Sequence, residues 1–195
     1  MARTQAADYD QKRETITAQA AALFAEKGFA GASISDLAER CSVSKSLIYH
    51  YYASKEAILF DVMTSHIDDL LSAVETTTET NAAPDENLRE LSRTLLQHYV
   101  GASEHQKVLL YELGSLPDEM RKEIVRKQRI IINTAETALA ALDPALAGDK
   151  AALRAKAMLF FGMLNWTNTW FKARGPISRD ALAELAAETM IKSTP

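Results

Sequence analysis

The sequence is short of cysteine, glycine and proline. Cys41 is the single cysteine among 195 residues, so neither an internal disulfide nor a cysteine-based metal cluster can form within one chain. Seven glycines and five prolines leave few chain breaks, while Ala, Leu, Glu, Lys and Arg, which favour helices, are frequent. These scarcities exclude a small disulfide scaffold and predict an all-α fold.

Long hydrophobic runs and targeting signals are also missing. The longest apolar run, residues 157–164, is far shorter than the roughly 20 residues that a membrane span requires. The N-terminal residues lack the apolar core of a secretory signal. We therefore expect a soluble, cytoplasmic protein with no membrane partner.

The net charge of −4 is unevenly distributed along the chain. Residues 1–60 carry seven basic and seven acidic side chains, so the whole acidic excess lies in residues 61–195. A protein with this balance does not coat nucleic acid through bulk positive charge. If the chain binds DNA, we expect a few well-placed cations in its N-terminal part to make the contacts.

Apolar residues recur at helical spacing almost everywhere, and no alternating strand pattern or internal repeat is present. The pattern predicts nine helices, at about residues 8–27, 33–41, 45–51, 55–77, 86–103, 105–113, 118–142, 150–172 and 179–192. The first of them has a buried face and stops at Gly28, and the polar segment 76–85 is the first clear loop. We predict a small head, residues 1–55, followed by a larger body, residues 56–195.

Two short predicted helices in the head are joined by a three-residue turn, residues 42–44. This is the helix-turn-helix arrangement, whose second helix enters the major groove of DNA. The second helix here leaves a cation, two polar groups and a phenol on its exposed face, which suit base edges and phosphates. These side chains are Lys45, Ser46, Tyr49 and His50.

The same region resembles the N-terminal signature of the TetR family of transcription regulators. The matching residues are Phe24, Gly28, Phe29, Ser33, Ile34, Leu37, Ala38 and the run from Val43 to Glu56. The resemblance implies a nine-helix homodimer that releases an operator when a small molecule enters its C-terminal domain. It also implies that Tyr49 and Lys55 hold phosphates, that Ser33 faces a phosphate, and that Lys45, Ser46 and His50 face bases or backbone. Ser35 completes the predicted DNA-binding set.

Two positions depart from the family pattern, and two tyrosines have an alternative role. Ser42 stands where the family usually has Gly, so backbone strain is expected if its φ is positive. Cys41 stands where Ala is frequent and is expected to be structural. Tyr52 is expected to pack in the core, whereas Tyr51 fits the core and the surface equally well.

The body carries no enzyme motif: it has no Gly-rich phosphate loop, no HExxH and no nucleophile–base pair. We therefore predict a non-enzyme without cofactor. His66, His98 and His105 do not share metal-ligand spacing and are expected at the surface or the core edge, with no metal site. A basic run at residues 121–129 fits either a solvated helix face or a site for an anionic ligand.

The eighth predicted helix is apolar on nearly all sides, so it must be covered both by its own core and by a second copy of the chain. Gly162, among bulky neighbours, would let two helices approach closely across a two-fold axis. The predicted dimer interface consists of Met158, Gly162, Leu182, Leu185 and Thr189.

The end of this helix and the residues after it suggest a ligand. Trp166, Trp170 and Arg174 are spaced by four residues, which predicts one helical stripe of two indoles and a guanidinium. Residues 165–178 resemble a branch of the TetR family that responds to acyl-CoA thioesters. The residue types suit such a ligand, because an indole can stack on adenine and Arg174 can pair with phosphates. The predicted ligand-binding set is Tyr99, Leu110, Tyr111, Phe160, Leu164, Trp166, Trp170 and Arg174.

The sequence thus predicts a homodimeric repressor whose partners are a double-stranded palindromic operator and a small-molecule inducer, for which a CoA thioester is favoured. Four alternatives stay open. In the first, the inducer is a free hydrophobic compound, as in regulators of efflux or detoxification, and in the second, both tryptophans are interface packing. In the third, the chain is an architectural DNA binder without ligand. In the fourth, it is an enzyme or binding protein whose head docks on another protein.

Overall fold

A computed structural model describes the backbone of residues 2–78 and 82–193 and the side chains of residues 9–77 and 82–193. Within these ranges the chain forms nine α-helices and two short 3-10 turns, with no β-strand. The helices are α1 (Ala2–Gly31), α2 (Ile34–Arg40), α3 (Lys45–Tyr51), α4 (Lys55–Thr78), α5 (Pro84–Gly101), α6 (Ser103–Tyr111), α7 (Asp118–Leu142), α8 (Lys150–Trp170) and α9 (Arg179–Lys192). The predicted all-α fold is confirmed.

The chain divides into two compact units. The first comprises Met1–His66 and Glu104–Ile124, and the second comprises Ile67–Ser103 and Val125–Pro195. The boundary between the units therefore falls within α4, after the first residue of α6 and within α7. The predicted division into domains at residue 55 remains a prediction, since a unit defined by contacts need not fold alone.

In the first unit, α1 packs against α2, and α2 packs against α3. The core combines one face of α1 with a few residues of the two short helices, and it includes Ile16, Phe24, Leu37 and Ile48, each at most 2% exposed. Because α2 and α3 have seven residues each, they cannot be stable alone and depend on this shared core.

Several helix ends differ from the prediction. α1 begins at Ala2, and it runs through to Gly31 with a break at Gly28, whose φ of 72° and ψ of 158° are not helical. Only glycine adopts such angles without strain. α5 begins at Pro84 rather than at residue 86, because a proline in the first turn needs no hydrogen bond from its nitrogen. Of the predicted loop at 76–85, residues 79–81 lie outside the described residues.

In the second unit, α5 packs on α9 and on α8. The core here includes Phe160 and Leu164 of α8 and Leu95 and Leu96 of α5, all at most 1% exposed. At the surface, Arg89 and Arg93 of α5 both form ion pairs with Glu184 of α9. None of the helices in the described ranges is both long and apolar enough to cross a lipid bilayer.

Candidate nucleic-acid interface and ligand-binding region

The first helix of the helix-turn-helix begins with a reciprocal cap. The Ser33 hydroxyl accepts a hydrogen bond from the Asp36 amide at 3.1 Å, while the Asp36 carboxylate accepts one from the Ser33 amide at 2.8 Å. Hydrogen bonds from Ser33, together with the ammonium of Lys27, lower the pKa of Asp36 to about 2. The cap thus stays formed at neutral pH, and it leaves Ser33 and Ser35 exposed, as a role in DNA binding requires.

The turn between the two helices is strained at one residue. Ser42 has a φ of 54°, in the left-handed region, so the condition under which strain was expected at this position is met. Its amide donates to the carbonyl of Glu39 at 3.0 Å, and the amide of Val43 donates to that of Ala38 at 2.9 Å. These two hydrogen bonds stabilise the tight turn, although serine occupies the position where the family usually has glycine. The neighbouring Cys41 is half-buried, and burial raises the pKa of its thiol.

The second helix, α3, exposes the predicted DNA-binding side chains on one side. Ser44 caps its start, because the Ser44 hydroxyl accepts a hydrogen bond from the Leu47 amide at 3.2 Å. Ile48 is fully buried and anchors the helix to the core. Lys45, Ser46, Tyr49 and His50 are all exposed, and Tyr49 is 55% exposed despite its large apolar ring. Contact of these four residues with DNA remains a prediction.

Lys55 has an internal role that the sequence did not reveal. Its ammonium donates to the carbonyls of Phe29 at 2.8 Å and Ala32 at 2.9 Å, and it lies 4.2 Å from the centre of the Phe29 ring. Two of its three N–H groups are thus engaged within the chain, which leaves one for the predicted phosphate. A Lys55→Ala variant would therefore lose a structural contact as well as any DNA contact.

Aromatic rings meet at the C-terminal end of α3. The Tyr9 and Tyr51 ring centres lie 4.6 Å apart, and the His50 ring stands edge-on to Tyr51 at 5.4 Å. The sequence left open whether Tyr51 packs in the core or lies at the surface, and its side chain is half-buried. This contact joins the first helix of the chain to the end of α3.

A second group at this end of α3 is polar, and sequence reasoning missed most of it. Tyr52 is 6% exposed, as expected for a core residue, but its hydroxyl donates to the Asp61 carboxylate of α4. Arg13 of α1 pairs with the same carboxylate, and the Thr17 hydroxyl lies 2.8 Å from the Tyr52 oxygen. Only the four-residue spacing of Arg13 and Thr17 on one helix hinted at a shared face.

The predicted ligand-binding residues do not form a uniform group. Tyr99, Phe160 and Leu164 are buried in the core of the second unit. Leu110 and Tyr111 belong to the first unit, where Leu110 is partly buried and Tyr111 is 59% exposed. That these five residues line one inducer site remains a prediction.

One geometric prediction about the ligand is wrong. α8 ends at Trp170, and the backbone of Phe171 is extended, so Arg174 is not one helical turn beyond Trp170. Arg174 instead lies exposed in a turn closed by the hydrogen bond from the Gly175 amide to the Lys172 carbonyl at 2.8 Å. Glycine is required at position 175 of this turn, because a Cβ there would lie 2.9 Å from the carbonyl oxygen of Lys172.

A largely apolar groove of about 270 Å³ runs between α8 and α9. It is lined by Met163, Leu164, Trp166, Thr167, Trp170, Leu182, Leu185, Ala186 and Thr189. Two residues of the predicted ligand stripe, Trp166 and Trp170, thus lie beside three of the predicted interface residues. Trp166 is 64% exposed and Leu185 is 54% exposed, so the groove presents large apolar side chains to its surroundings.

The basic run and one histidine of the body also have defined surroundings. Arg121 and Lys122 each pair with an acidic residue three positions earlier, at 2.7 Å, as on a solvated helix face. His66, expected at the surface or the core edge, is 2% exposed, and its Nε2 lies 2.7 Å from the side-chain oxygen of Gln106. In the described residues no group of His, Cys, Asp or Glu has the arrangement of a metal site.

Two protein-family models match the chain in succession. The model for bacterial regulatory proteins of the tetR family matches residues 16–62. The model for the C-terminal domain of tetracyclin repressor-like proteins matches residues 81–194, which is more than half of the chain.

Solved structures and curated proteins agree with these matches. A TetR-family transcriptional regulator from Bordetella parapertussis 12822 is 39% identical with a TM-score of 0.88, covering 92% of this chain and 93% of that one. AibR, solved in complex with isovaleryl coenzyme A and operator DNA, is 25% identical with a TM-score of 0.80, covering 91% and 97%. The transcriptional repressor KstR2 of Mycolicibacterium smegmatis is 24% identical over 89% of this chain and 85% of its own length.

Coverage differs among the curated relatives, since the match to the regulator YuxN of Bacillus subtilis spans 55% of this chain but only 36% of that protein. The structural match to the Bordetella regulator has no such restriction. The chain has an all-α fold with a capped helix-turn-helix, and two family models match it in succession. A regulator of known structure also matches it over almost its whole length at 39% identity. The chain belongs to the TetR family of bacterial transcription regulators.

Proposed function

We propose that the protein is a homodimeric transcriptional repressor that binds a palindromic operator through its helix-turn-helix and releases it when a small molecule binds. The observation that carries this proposal is the exposed side of α3. A helix with one face anchored by Ile48 and the other presenting Lys45, Ser46, Tyr49 and His50 suits insertion into a major groove. Ser33, Ser35 and Lys55 are the additional candidates for phosphate contacts.

Dimer formation through α8 and α9 is supported by the exposed apolar side chains of these helices. Met158, Gly162 and Trp166 are spaced by four residues along α8, and all three are exposed. Leu185 and Thr189 of α9 are exposed beside the same groove. Large apolar residues concentrated on one surface favour burial against a second copy, and a two-fold axis brings two such surfaces together.

For the inducer, an acyl-CoA thioester remains the favoured class. The support is the similarity to AibR, which was solved with isovaleryl coenzyme A and operator DNA. Within this chain, the exposed guanidinium of Arg174 is free to approach a phosphate from solvent. Stacking of adenine on Trp170 competes with burial of that indole in a dimer, because Trp170 lines the α8–α9 groove. The phosphate contact is therefore the part of this proposal that a single substitution tests cleanly.

The test is an operator-release assay on a DNA duplex that the wild-type protein has selected from a random pool. We expect isovaleryl-CoA or another short-chain acyl-CoA to release the duplex, and the matching free acid to release it at least about tenfold less efficiently, since a lost charge-assisted contact has about that effect. An inducer acts only through its higher affinity for the DNA-free state, so Arg174→Ala should weaken release without changing DNA affinity in its absence.

The control is Lys150→Ala, which removes the same charge from the opposite end of α8 and should leave release unchanged. If free acids work as well as thioesters, the CoA proposal is wrong and a free hydrophobic inducer replaces it. If no member of the panel releases the duplex, the protein behaves as a DNA binder without such an inducer.

A further inference from the structure

The end of α3 is held by a connected group of polar side chains from three helices. The Tyr52 hydroxyl donates to Oδ2 of Asp61, and the Thr17 hydroxyl lies 2.8 Å from the Tyr52 oxygen and 3.1 Å from the same Oδ2. Arg13 binds both oxygens of the same carboxylate, with its Nε donating to Oδ2 at 3.2 Å and its Nη2 donating to Oδ1 at 2.5 Å. Every member of this group, here called the Asp61 cluster, lies in the first compact unit.

Tyr52 connects this cluster directly to the DNA-reading helix. It is the C-cap residue of α3, and its backbone amide donates to the carbonyl of Ile48 at 3.0 Å. Tyr49 and His50, which are exposed and proposed to contact DNA, lie three and two residues before it. α3 has only seven residues and a single fully buried side chain, Ile48, so the contacts at its C-terminal end, which are the Tyr9–Tyr51 ring contact and the bonds of Tyr52, contribute to its rotation and tilt.

Directional bonds fix a helix end more precisely than apolar packing does. A hydrogen bond weakens steeply when its distance or angle changes, whereas apolar side chains tolerate sliding. Burial, followed by the hydrogen bond to Asp61, raises the pKa of Tyr52 to about 12, so the phenol remains a donor at any physiological pH. The Arg13–Asp61 pair is partly exposed, with the Arg13 side chain 49% accessible, so we expect it to orient the carboxylate more than to stabilise the fold.

We propose that Asp61 is a positioning residue for operator recognition, which through Tyr52 holds the C-terminal end of α3 at the orientation that base reading requires. This inference rests on the proposed DNA-binding function. It assigns a role in sequence recognition to residues that need not touch DNA: Asp61 on α4, Tyr52 at the end of α3, and Thr17 and Arg13 on α1.

The test compares variants that break the Asp61 cluster with a matched control on the same helix. The Thr15 hydroxyl donates to the Gln11 carbonyl at 2.8 Å, and the Thr17 hydroxyl lies 3.0 Å from the Arg13 carbonyl, but only Thr17 also lies within hydrogen-bond distance of the cluster. Thr17→Val, Tyr52→Phe and Asp61→Asn are measured against Thr15→Val. Each protein is titrated with a duplex that the wild type selects from a random pool and with a scrambled duplex of equal composition.

A positioning role predicts a loss of discrimination rather than of all binding. Tyr52→Phe and Asp61→Asn should weaken binding to the selected duplex by about tenfold, as expected for one hydrogen bond to a charged group, and leave the scrambled duplex unchanged. Thr17→Val should have a smaller effect of the same kind, and Thr15→Val none. The double variant Tyr52→Phe/Asp61→Asn should lose little more than either single variant, because both act on the same contact: Tyr52→Phe removes its donor and Asp61→Asn removes the charge of its acceptor.

Three other outcomes would overturn the inference. If the variants lower only the melting temperature, or weaken both duplexes equally, the cluster is structural. If Thr15→Val has the same effect as Thr17→Val, the threonines act through α1 alone. A wild type that selects no sequence from the pool would overturn the proposed function itself. That result is distinct from one in which the wild type discriminates and the variants discriminate equally well, which would overturn only the positioning role of Asp61.

Discussion

A Gly162→Leu variant is expected to be monomeric at concentrations where the wild type is a dimer. A Cβ at Gly162 would lie in open space, since no described atom of a neighbouring element of the same chain is within 4 Å. Leucine is also a better helix former than glycine, so the isolated subunit should be at least as stable as before. Between two subunits, however, the added side chain would overpack the helix contact.

The expected cost is about 1–3 kcal/mol at each copy of Gly162. Because the dimer contains two copies, its dissociation constant should rise by at least about 30-fold. Light scattering across a dilution series measures it, with thermal unfolding as the check on subunit stability. Gly101→Leu is the control, because Gly101 at the end of α5 is also exposed and open. A Gly162→Leu protein that dimerises like the wild type would show that this part of α8 is not in the interface.

Reversing the charge of Lys45 should nearly abolish DNA binding. Lys45 is the first residue of α3 and is exposed, so a glutamate there would meet the phosphates or base edges that lysine is proposed to contact. An acidic residue in the first turn of a helix interacts favourably with the helix dipole. The substitution should therefore leave the fold intact and reduce affinity for the selected duplex by about 100-fold or more, given the cost of like charges at an interface.

Lys107→Glu provides the matched control for this variant. Lys107 is an exposed residue of α6 in the same compact unit, and its reversal changes the net charge by the same amount. We expect it to reduce DNA affinity only slightly, through long-range charge that salt screens. Titrations at two salt concentrations separate the effects, and equal losses for the two variants would mean that α3 has no special role.

The local signals in the sequence predicted the head well. Ser33 followed by an acidic residue three positions later has the pattern of a capping box, and a serine such as Ser44 is favoured immediately before a helix; both caps are formed. Ser42 in a glycine position predicted strain if its φ were positive, and its φ is positive. Such features depend on residues within one or two turns, so a pattern in the chain is sufficient to predict them.

Features that join distant parts of the chain were not predictable in this way. Nothing in the sequence around Asp61 indicates that it meets Arg13 and Tyr52, because that meeting depends on how three helices pack. The same limit explains the placement of Arg174: a four-residue spacing predicts a stripe only while the helix continues, and α8 ends at Trp170. Lys55, named for phosphate binding, turned out to hold two carbonyls as well.

Selection from a random pool of DNA duplexes tests the central claim most directly. If two copies of α3 read the operator from a two-fold dimer, the enriched sequence should be a palindrome whose half-sites present successive major grooves about 34–36 Å apart. Each enriched duplex should bind an even number of chains in light scattering. An enriched single half-site bound by one chain, or a pool that remains unchanged after repeated rounds, would contradict the account.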